Sequence, residues 1–219
     1  MRKVKVGRKI LIANEEYALR NKSLLARRKM PCLNVISSPG SGKTTILTRT
    51  IEAIKDRVRI GVIEGDIQTD IDAQRIRTTG APAIQINTDG ACHLSAAQVS
   101  DALQKLPLDK LDLIFIENVG NLICPSAFDL GETAKVAVLS VPEGDDKPAK
   151  YPLIFATAAA VLINKIDLLA AGDFNIEKAK ADILKLNKKT KIFPMSAKTG
   201  EGMSQWCDWL EALTNRQSR

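Results

Sequence analysis

Aromatic side chains make up only 4% of this 219-residue chain, and no apolar run approaches the length of a membrane span. The second scarcity excludes an integral membrane helix. The first bears on nucleic acid, which needs a folded basic surface with aromatic or fold-level support. The four cysteines, at 32, 92, 124 and 207, lack the spacing of a disulfide framework, so a reducing cytoplasm is the expected compartment. The N-terminal stretch is too basic and too poor in apolar residues for a secretory signal. No internal repeat or low-complexity tract interrupts the chain.

What is there is unevenly spread. The formal net charge is +7, yet residues 1–30 hold ten Lys/Arg against two Glu, so the remaining chain is close to neutral. Basicity belongs to a leader segment, and neither nucleic acid nor a membrane is expected as a partner. The chain therefore divides into a basic leader, 1–30, and a body, 31–219. Over 14–29, Tyr17, Ala18, Leu24 and Leu25 fall on one side of a helical wheel, with Leu19 off that face. Such an amphipathic helix, ending before Pro31, either packs on its own domain or docks a partner protein.

The body alternates. Apolar strands are predicted at 33–36, 58–63, 83–86, 113–116, 136–141, 160–163 and 191–194, with helices at 44–55, 95–105, 176–186 and 202–213. This alternation predicts an α/β fold, a doubly wound and mostly parallel sheet with ligands at the carboxyl ends of its strands. Met203, Trp206, Leu210 and Leu213 share one face of the last helix, so Trp206 and Cys207 read as core. Cys32, beside the first strand, reads as packing.

Directly after the first strand runs Ser37-Ser38-Pro39-Gly40-Ser41-Gly42-Lys43-Thr44-Thr45, a P-loop with Ser37 in place of its first glycine. Gly40 and Gly42 let consecutive N–H groups converge, and the following helix N-terminus favours anions. Lys43 is expected on the β- and γ-phosphates and the Thr44 hydroxyl on Mg²⁺. Asn164-Lys165-Ile166-Asp167 then follows a strand, in the pattern by which P-loop GTPases read guanine. Asp167 can accept from N1–H and the N2 amino group, a donor pair adenine lacks, and a polar site of this kind discriminates strongly. Ser196-Ala197-Lys198 matches the second base loop, so GTP is expected rather than ATP.

Carboxylates for Mg²⁺ and the attacking water are expected at two further strand ends. The stretch 64–72 supplies Glu64, Asp66, Asp70 and Asp72, and Leu113 to Gly120 ends a buried strand on Glu117. Asp66 and Glu117 are expected near Mg²⁺, Gly120 N–H at the γ-phosphate, and Asp72 at the water. Capping of the helices that follow these strands is the alternative role for these acids. The single histidine follows a cysteine in Asp89-Gly90-Ala91-Cys92-His93-Leu94, and Cys124 lies four residues after Gly120. Neighbours in a strand would face opposite ways, so Cys92 and His93 can share an ion only in a loop or at a helix start. A helix start would also favour the thiolate. From the residues alone such a Cys-His pair is more often structural. Three donors do not close a tetrahedral site, but two copies across a twofold axis could share an ion.

Together these motifs resemble the hydrogenase maturation GTPases of the HypB type. The resemblance rests on 37–44, Glu64-Gly65-Asp66-Ile67, Asp72-Ala73, Cys92-His93-Leu94, 117–125, Glu143-Gly144-Asp145-Asp146-Lys147 and 164–168. It implies a SIMIBI-like GTPase of slow turnover that forms a homodimer and holds Ni²⁺ or Zn²⁺ at the interface through Cys92, His93 and Cys124. It also implies a small nickel metallochaperone docking near the leader helix, and the large subunit of [NiFe]-hydrogenase as destination. The cysteine cluster or histidine-rich stretch of some members is not found before Cys32. Because three residues separate Gly120 from Cys124, movement onto the γ-phosphate is expected to reach the metal donors. A metal carrier with incidental hydrolysis, or a GTPase serving urease or a cobalamin mutase, remains open at this level.

Overall fold

The computed structural model describes residues 6–66 and 71–217. Helix α1 (Val6–Arg27) precedes β1 (Cys32–Ser37), α2 (Lys43–Ile54), β2 (Ile60–Asp66), α3 (Ile71–Arg77), β3 (Ala83–Asn87) and α4 (Ala96–Lys105). The second half runs β4 (Leu113–Glu117), α5 (Cys124–Ala127), β5 (Ala134–Ser140), α6 (Lys147–Lys150), α7 (Pro152–Thr157), β6 (Ala160–Asn164), α8 (Ile176–Leu186), β7 (Lys191–Pro194) and α9 (Met203–Gln217). The strands form one sheet in the order β3-β2-β4-β1-β5-β6-β7, and every pairing is parallel. All seven expected strands and the four body helices are present. The four short helices α3, α5, α6 and α7 are additions, since four to seven residues carry too little periodicity to read.

Both faces of the sheet are covered, which explains the near-continuous apolar strands. Leu33 and Val35 point to the α2/α9 side, where Ile46, Leu47, Ile51, Phe115 and Trp206 are buried with them. Trp206 is fully enclosed and donates through Nε1 to Thr50 Oγ1 at 3.0 Å, and Cys207 is buried beside it. Cys32 is fully buried on the opposite face with Ile114 and Leu103. Ile36, Leu139, Phe155 and Ile183 fill the rest of that face.

The leader helix is longer than expected and lies against α4 and the loop before β5. Its inward stripe is Asn14, Ala18, Asn21 and Leu25, all buried, whereas Tyr17 and Leu19 face solvent. The periodicity of apolar residues found Ala18, Leu24 and Leu25 and put Leu19 off the face, but it misassigned Tyr17 and missed two of the buried positions, because these are asparagines. Their amides bracket one residue: Asn14 Oδ1 accepts from Ala96 N at 2.8 Å and Asn21 Nδ2 donates to Ala96 O at 2.8 Å. Asn21 also donates to Leu130 O, and Asn14 to Asp129 O. Gly131 has φ +85°, and a Cβ there would sit 2.5 Å from Ala18 O, so the helix lies directly on that turn. Among the described residues no helix is long and apolar enough to cross a membrane.

Asn21→Ala removes one donor group and strands two carbonyls, Ala96 O and Leu130 O. A loss of about 2 kcal/mol is expected in urea unfolding, against a change within about 0.5 kcal/mol for the exposed Leu19→Ala. Equal effects of the two would mean that α1 is not fastened through this amide.

Candidate functional site

Parallel strands place their carboxyl ends on one edge, and the loops after β1, β2, β3, β4, β6 and β7 meet there. The P-loop leaves β1 at Ser37, which is buried and keeps a negative φ, so the first consensus glycine is not needed for the turn. Its hydroxyl instead accepts from Lys43 Nζ at 3.2 Å. Gly42 is the N-cap of α2 with φ +95°, and a Cβ on it would lie 2.6 Å from Asn164 Nδ2. Glycine is therefore required there twice over, by backbone conformation and by space. Ser41 is buried, with its Oγ donating to Ser38 O.

Asn164 stitches the base loop to the P-loop. Its Nδ2 donates to Ser41 O at 2.8 Å and its Oδ1 accepts from Ala197 N at 3.1 Å. The amide thus joins the loops after β1, β6 and β7. Lys165 takes a left-handed φ of +64° and its Nζ reaches Gly40 O at 2.7 Å. Asp167 Oδ1 accepts from Ser196 Oγ at 2.6 Å, which orients the carboxylate and ties it to the Ser196-Ala197-Lys198 loop. Lys198 is exposed at the edge of that loop.

A cleft of about 240 Å³ beside Gly40 is lined by Lys43, Glu64, Asp66, Asp72, Glu117 and Gly120. Thr44 Oγ1 donates to Glu117 Oε1 at 2.8 Å. Glu64 and Glu117 are register partners on β2 and β4, so both carboxyls point to the same spot. Burial and the Glu117 charge push the Glu64 carboxyl far above its ordinary value. Burial raises Glu117 as well, opposed by the Lys43 ammonium. One oxygen of each, Oε2, is buried without a hydrogen-bond partner. Two acids with orphaned oxygens, a threonine hydroxyl and a lysine fit a hard divalent cation beside a polyanion. Glu64 escaped sequence reading as a site residue, because only strand register distinguishes it from Asp66. Asp66 ends β2 half-exposed, and Asp72 opens α3 with Arg75 Nη1 3.5 Å away. Arg75 Nη2 also reaches Thr45 Oγ1 at 3.3 Å, tethering α3 to α2. Asp70 lies outside the described residues.

On the other side of the same loops, the donor atoms of Cys92, His93 and Cys124 lie within 4.8 Å of one another. Cys92 Sγ is 3.5 Å from His93 Nδ1. Strand β3 is separated from β4 by β2, so the loop after β3 has to cross the end of β2. Gly65 permits this: a Cβ there would lie 2.8 Å from Leu94, which is fully buried over it. Cys92 and His93 occupy a bend after the Asp89-Gly90 turn, and α4 begins only at Ala96 behind its cap Ser95. Of the two settings expected for the pair, a loop or a helix start, the structure has the loop, without the thiolate bias of a first turn. Cys92 is shifted up instead, chiefly by its hydrogen bond with Cys124. Partial burial lowers His93, which favours the neutral, ligand-competent imidazole. Phe128 packs against the His93 ring with centroids 3.9 Å apart and planes tilted by 34°, an orienting contact that sequence reading missed because the two lie 35 positions apart.

Loops 118–121 and 37–40 are in contact as well. A Cβ on Gly120 would come within 2.9 Å of Pro39 Cα, so the segment between Glu117 and Cys124 lies against the P-loop backbone.

Residues 31–194 match the family model described as the CobW/HypB/UreG nucleotide-binding domain. The chain is 55% identical over 202 residues to the hydrogenase maturation factor HypB of Escherichia coli strain K12, covering 92% of this chain and 70% of that protein. The crystal structure of HypB from Helicobacter pylori in complex with nickel superposes with a TM-score of 0.88 at 40% identity, over 93% of this chain and 96% of that one. HypB from Archaeoglobus fulgidus gives a TM-score of 0.87 at 41% identity, over 93% and 100% of the two chains.

Gly42→Ala forces a side chain into a left-handed position and against the Asn164 amide. The expected result is a folded protein, destabilised by about 1–3 kcal/mol, whose nucleotide affinity falls at least about tenfold. Titration with a fluorescent nucleotide measures it; unchanged affinity would remove Gly42 from the phosphate cradle.

Proposed function

We propose that this chain, which belongs to the CobW/HypB/UreG family and within it to the HypB hydrogenase maturation factors, is a Mg²⁺-dependent GTPase of the cytoplasm. In this reading its nucleotide cycle gates a Cys/His nickel site at a homodimer interface and assists nickel delivery to [NiFe]-hydrogenase. The observation that carries the reading is the 4.8 Å clustering of Cys92, His93 and Cys124, with Cys124 on the loop that contains Gly120.

The P-loop N–H groups from Gly40 to Thr45 and the Lys43 ammonium bind the β- and γ-phosphates. On arrival of the phosphate, Lys43 exchanges its Ser37 partner for an anion. Thr44, Asp66 and Glu117 would hold Mg²⁺, which neutralises charge on the phosphate oxygens. Asp72 orients the attacking water once its pairing with Arg75 loosens. Asp167, held by Ser196, accepts from guanine N1–H and the N2 amino group. Ala197 N–H is engaged by Asn164 and Ser196 N–H by Glu201 O, so the Ser196–Lys198 loop meets guanine O6 through the Lys198 N–H.

Gly120 binds the γ-phosphate through its N–H and draws the 118–124 segment with it. The close approach of Gly120 to Pro39 supports this, since it sets the segment directly beside the P-loop. Hydrolysis releases the segment and changes the geometry of the three donors. These donors are one short of a tetrahedral shell, and a second copy completes it. Ile123, 62% exposed beside Cys124, gives the facing copy an apolar contact. A small nickel metallochaperone docks on the outer face of α1, where Ile12, Tyr17 and Leu19 are exposed.

A ligand shifts a site only by its differential affinity for two states. Nickel titrated into the protein with GDP and with a non-hydrolysable GTP analogue is expected to give dissociation constants that differ at least about fivefold. Equal constants refute the gate, and Cys124→Ala is expected to lose the metal counted per dimer by elemental analysis. Asp167→Asn presents an amide where the base offers donors, and hydrolysis is expected to shift from GTP towards XTP. Retained GTP preference would mean that another group reads the base.

A further inference from the structure

Between the two sites lies a chain of buried amides that no step above uses. Asn118 follows Glu117 and is 1% exposed; Asn34, in the middle of β1, is wholly buried, and Glu132, before β5, is 9% exposed. Asn118 Oδ1 accepts from Leu94 N at 3.2 Å and from its neighbour Val119 N at 3.0 Å. Asn118 Nδ2 donates to Asn34 Oδ1 at 3.1 Å, and Asn34 Nδ2 donates to Glu132 Oε1 at 3.3 Å. Glu132 Oε2 accepts from Leu130 N at 2.7 Å, and Lys135 Nζ lies 3.8 Å from Oε1.

The chain has one polarity. The Leu94 and Val119 N–H groups can only donate, so Asn118 has to turn its oxygen to them and its NH₂ to Asn34. Asn34 then has its oxygen engaged and its own NH₂ left for Glu132. Of the two N–H groups, one belongs to Leu94, directly after His93; the other to Val119, directly before Gly120. An amide flip would face oxygen with oxygen at one end and N–H with N–H at the other. In a buried site that penalty locks the orientation.

We propose that Asn118 is the positioning residue of the metal clasp. It fastens the loop of Cys92 and His93 to the segment that carries Glu117 and Gly120, with Asn34 accepting from its NH₂ and Glu132 from that of Asn34. The proposal rests on the gating reading above and deepens it. Cys124 is joined to Gly120 through the backbone, but Cys92 and His93, on a separate loop, are not. Through Asn118 the phosphate-sensing segment carries all three donors. Asn121, on the far side of Gly120, makes a second and weaker tie: its Nδ2 donates to Cys92 O at 3.4 Å, while its Oδ1 accepts from Ile123 N at 2.8 Å.

The test is the ratio of nickel dissociation constants with GDP and with a non-hydrolysable GTP analogue, measured on the full chain with Mg²⁺ for wild type, Asn118→Ala and Asn121→Ala. A wild-type ratio at least about fivefold from one is the starting condition. Asn118→Ala is expected to bind nickel and both nucleotides with a ratio brought at least about threefold closer to one than that of wild type, whatever the change in melting temperature, the remainder being carried by the backbone link from Gly120 to Cys124. A purely structural asparagine would lower the melting temperature and leave the ratio alone. A folded Asn118→Ala with the wild-type ratio overturns this proposal and leaves the gating reading standing. A wild-type ratio of one overturns the gating reading itself, and this proposal with it. Should Asn118→Ala not fold, Asn121→Ala decides: a ratio reduced at least about threefold supports the fastening, and an unchanged ratio overturns it.

Discussion

Seven parallel strands can leave a sheet only with all their carboxyl ends on one edge, and everything functional in this chain follows from that constraint. Residues at 43, 64, 92, 117, 164 and 196 are scattered over the chain, yet each lies within a few positions of a strand terminus. The crossover helices return the chain to the opposite edge each time, so the chemistry accumulates where the strands end. Strand order then assigns neighbours. With β1 between β4 and β5, the P-loop lies beside the Glu117 segment, and Asn164 on β6 reaches the P-loop across the end of β5.

Crowding loops onto one edge has an energetic consequence. Polar groups that solvent would otherwise serve are buried there, and each must find a partner in the protein or a ligand. Asn164 resolves this by joining three loops, and Asn118 by joining its own segment and the loop of Leu94 to strand β1. Glu64 and Glu117 do not: in-register strands force two acids together, burial raises both, and an oxygen on each is left over. A conflict of this kind between local comfort and global fold is where a ligand is to be sought. The same edge carries Gly42, Gly65 and Gly120, each at a point where a Cβ would strike a neighbouring loop. Those glycines supply space, for the Asn164 and Leu94 side chains at Gly42 and Gly65 and for the Pro39 backbone at Gly120, and Gly42 supplies its positive φ as well.

Much of this was legible beforehand for specific reasons. Strands and long helices announce themselves through runs of apolar residues, and the ends of β7 and α8 fell where composition put them. The motifs at 37–45, 164–167 and 196–198 were readable because each pairs a backbone requirement with a ligand requirement within a few residues. The inward face of α1 was readable only at Ala18 and Leu25, since Asn14 and Asn21 look like solvent-facing residues until Ala96 and Leu130 are placed opposite them. Nor were Glu64 and Phe128, whose partners lie 53 and 35 positions away.

The amino-acid sequence by itself determined the alternating α/β plan, the P-loop, the motifs at 164–167 and 196–198 and the identity of the two thiols and one imidazole. Those depend on local periodicity and on residues that must be neighbours in the chain. Tertiary structure alone decided that Cys92 and His93 face Cys124, that Glu64 opposes Glu117, and that Asn118 joins the two sites. These are consequences of strand order and register, which arise from packing the whole sheet at once and leave no mark on any short stretch of sequence.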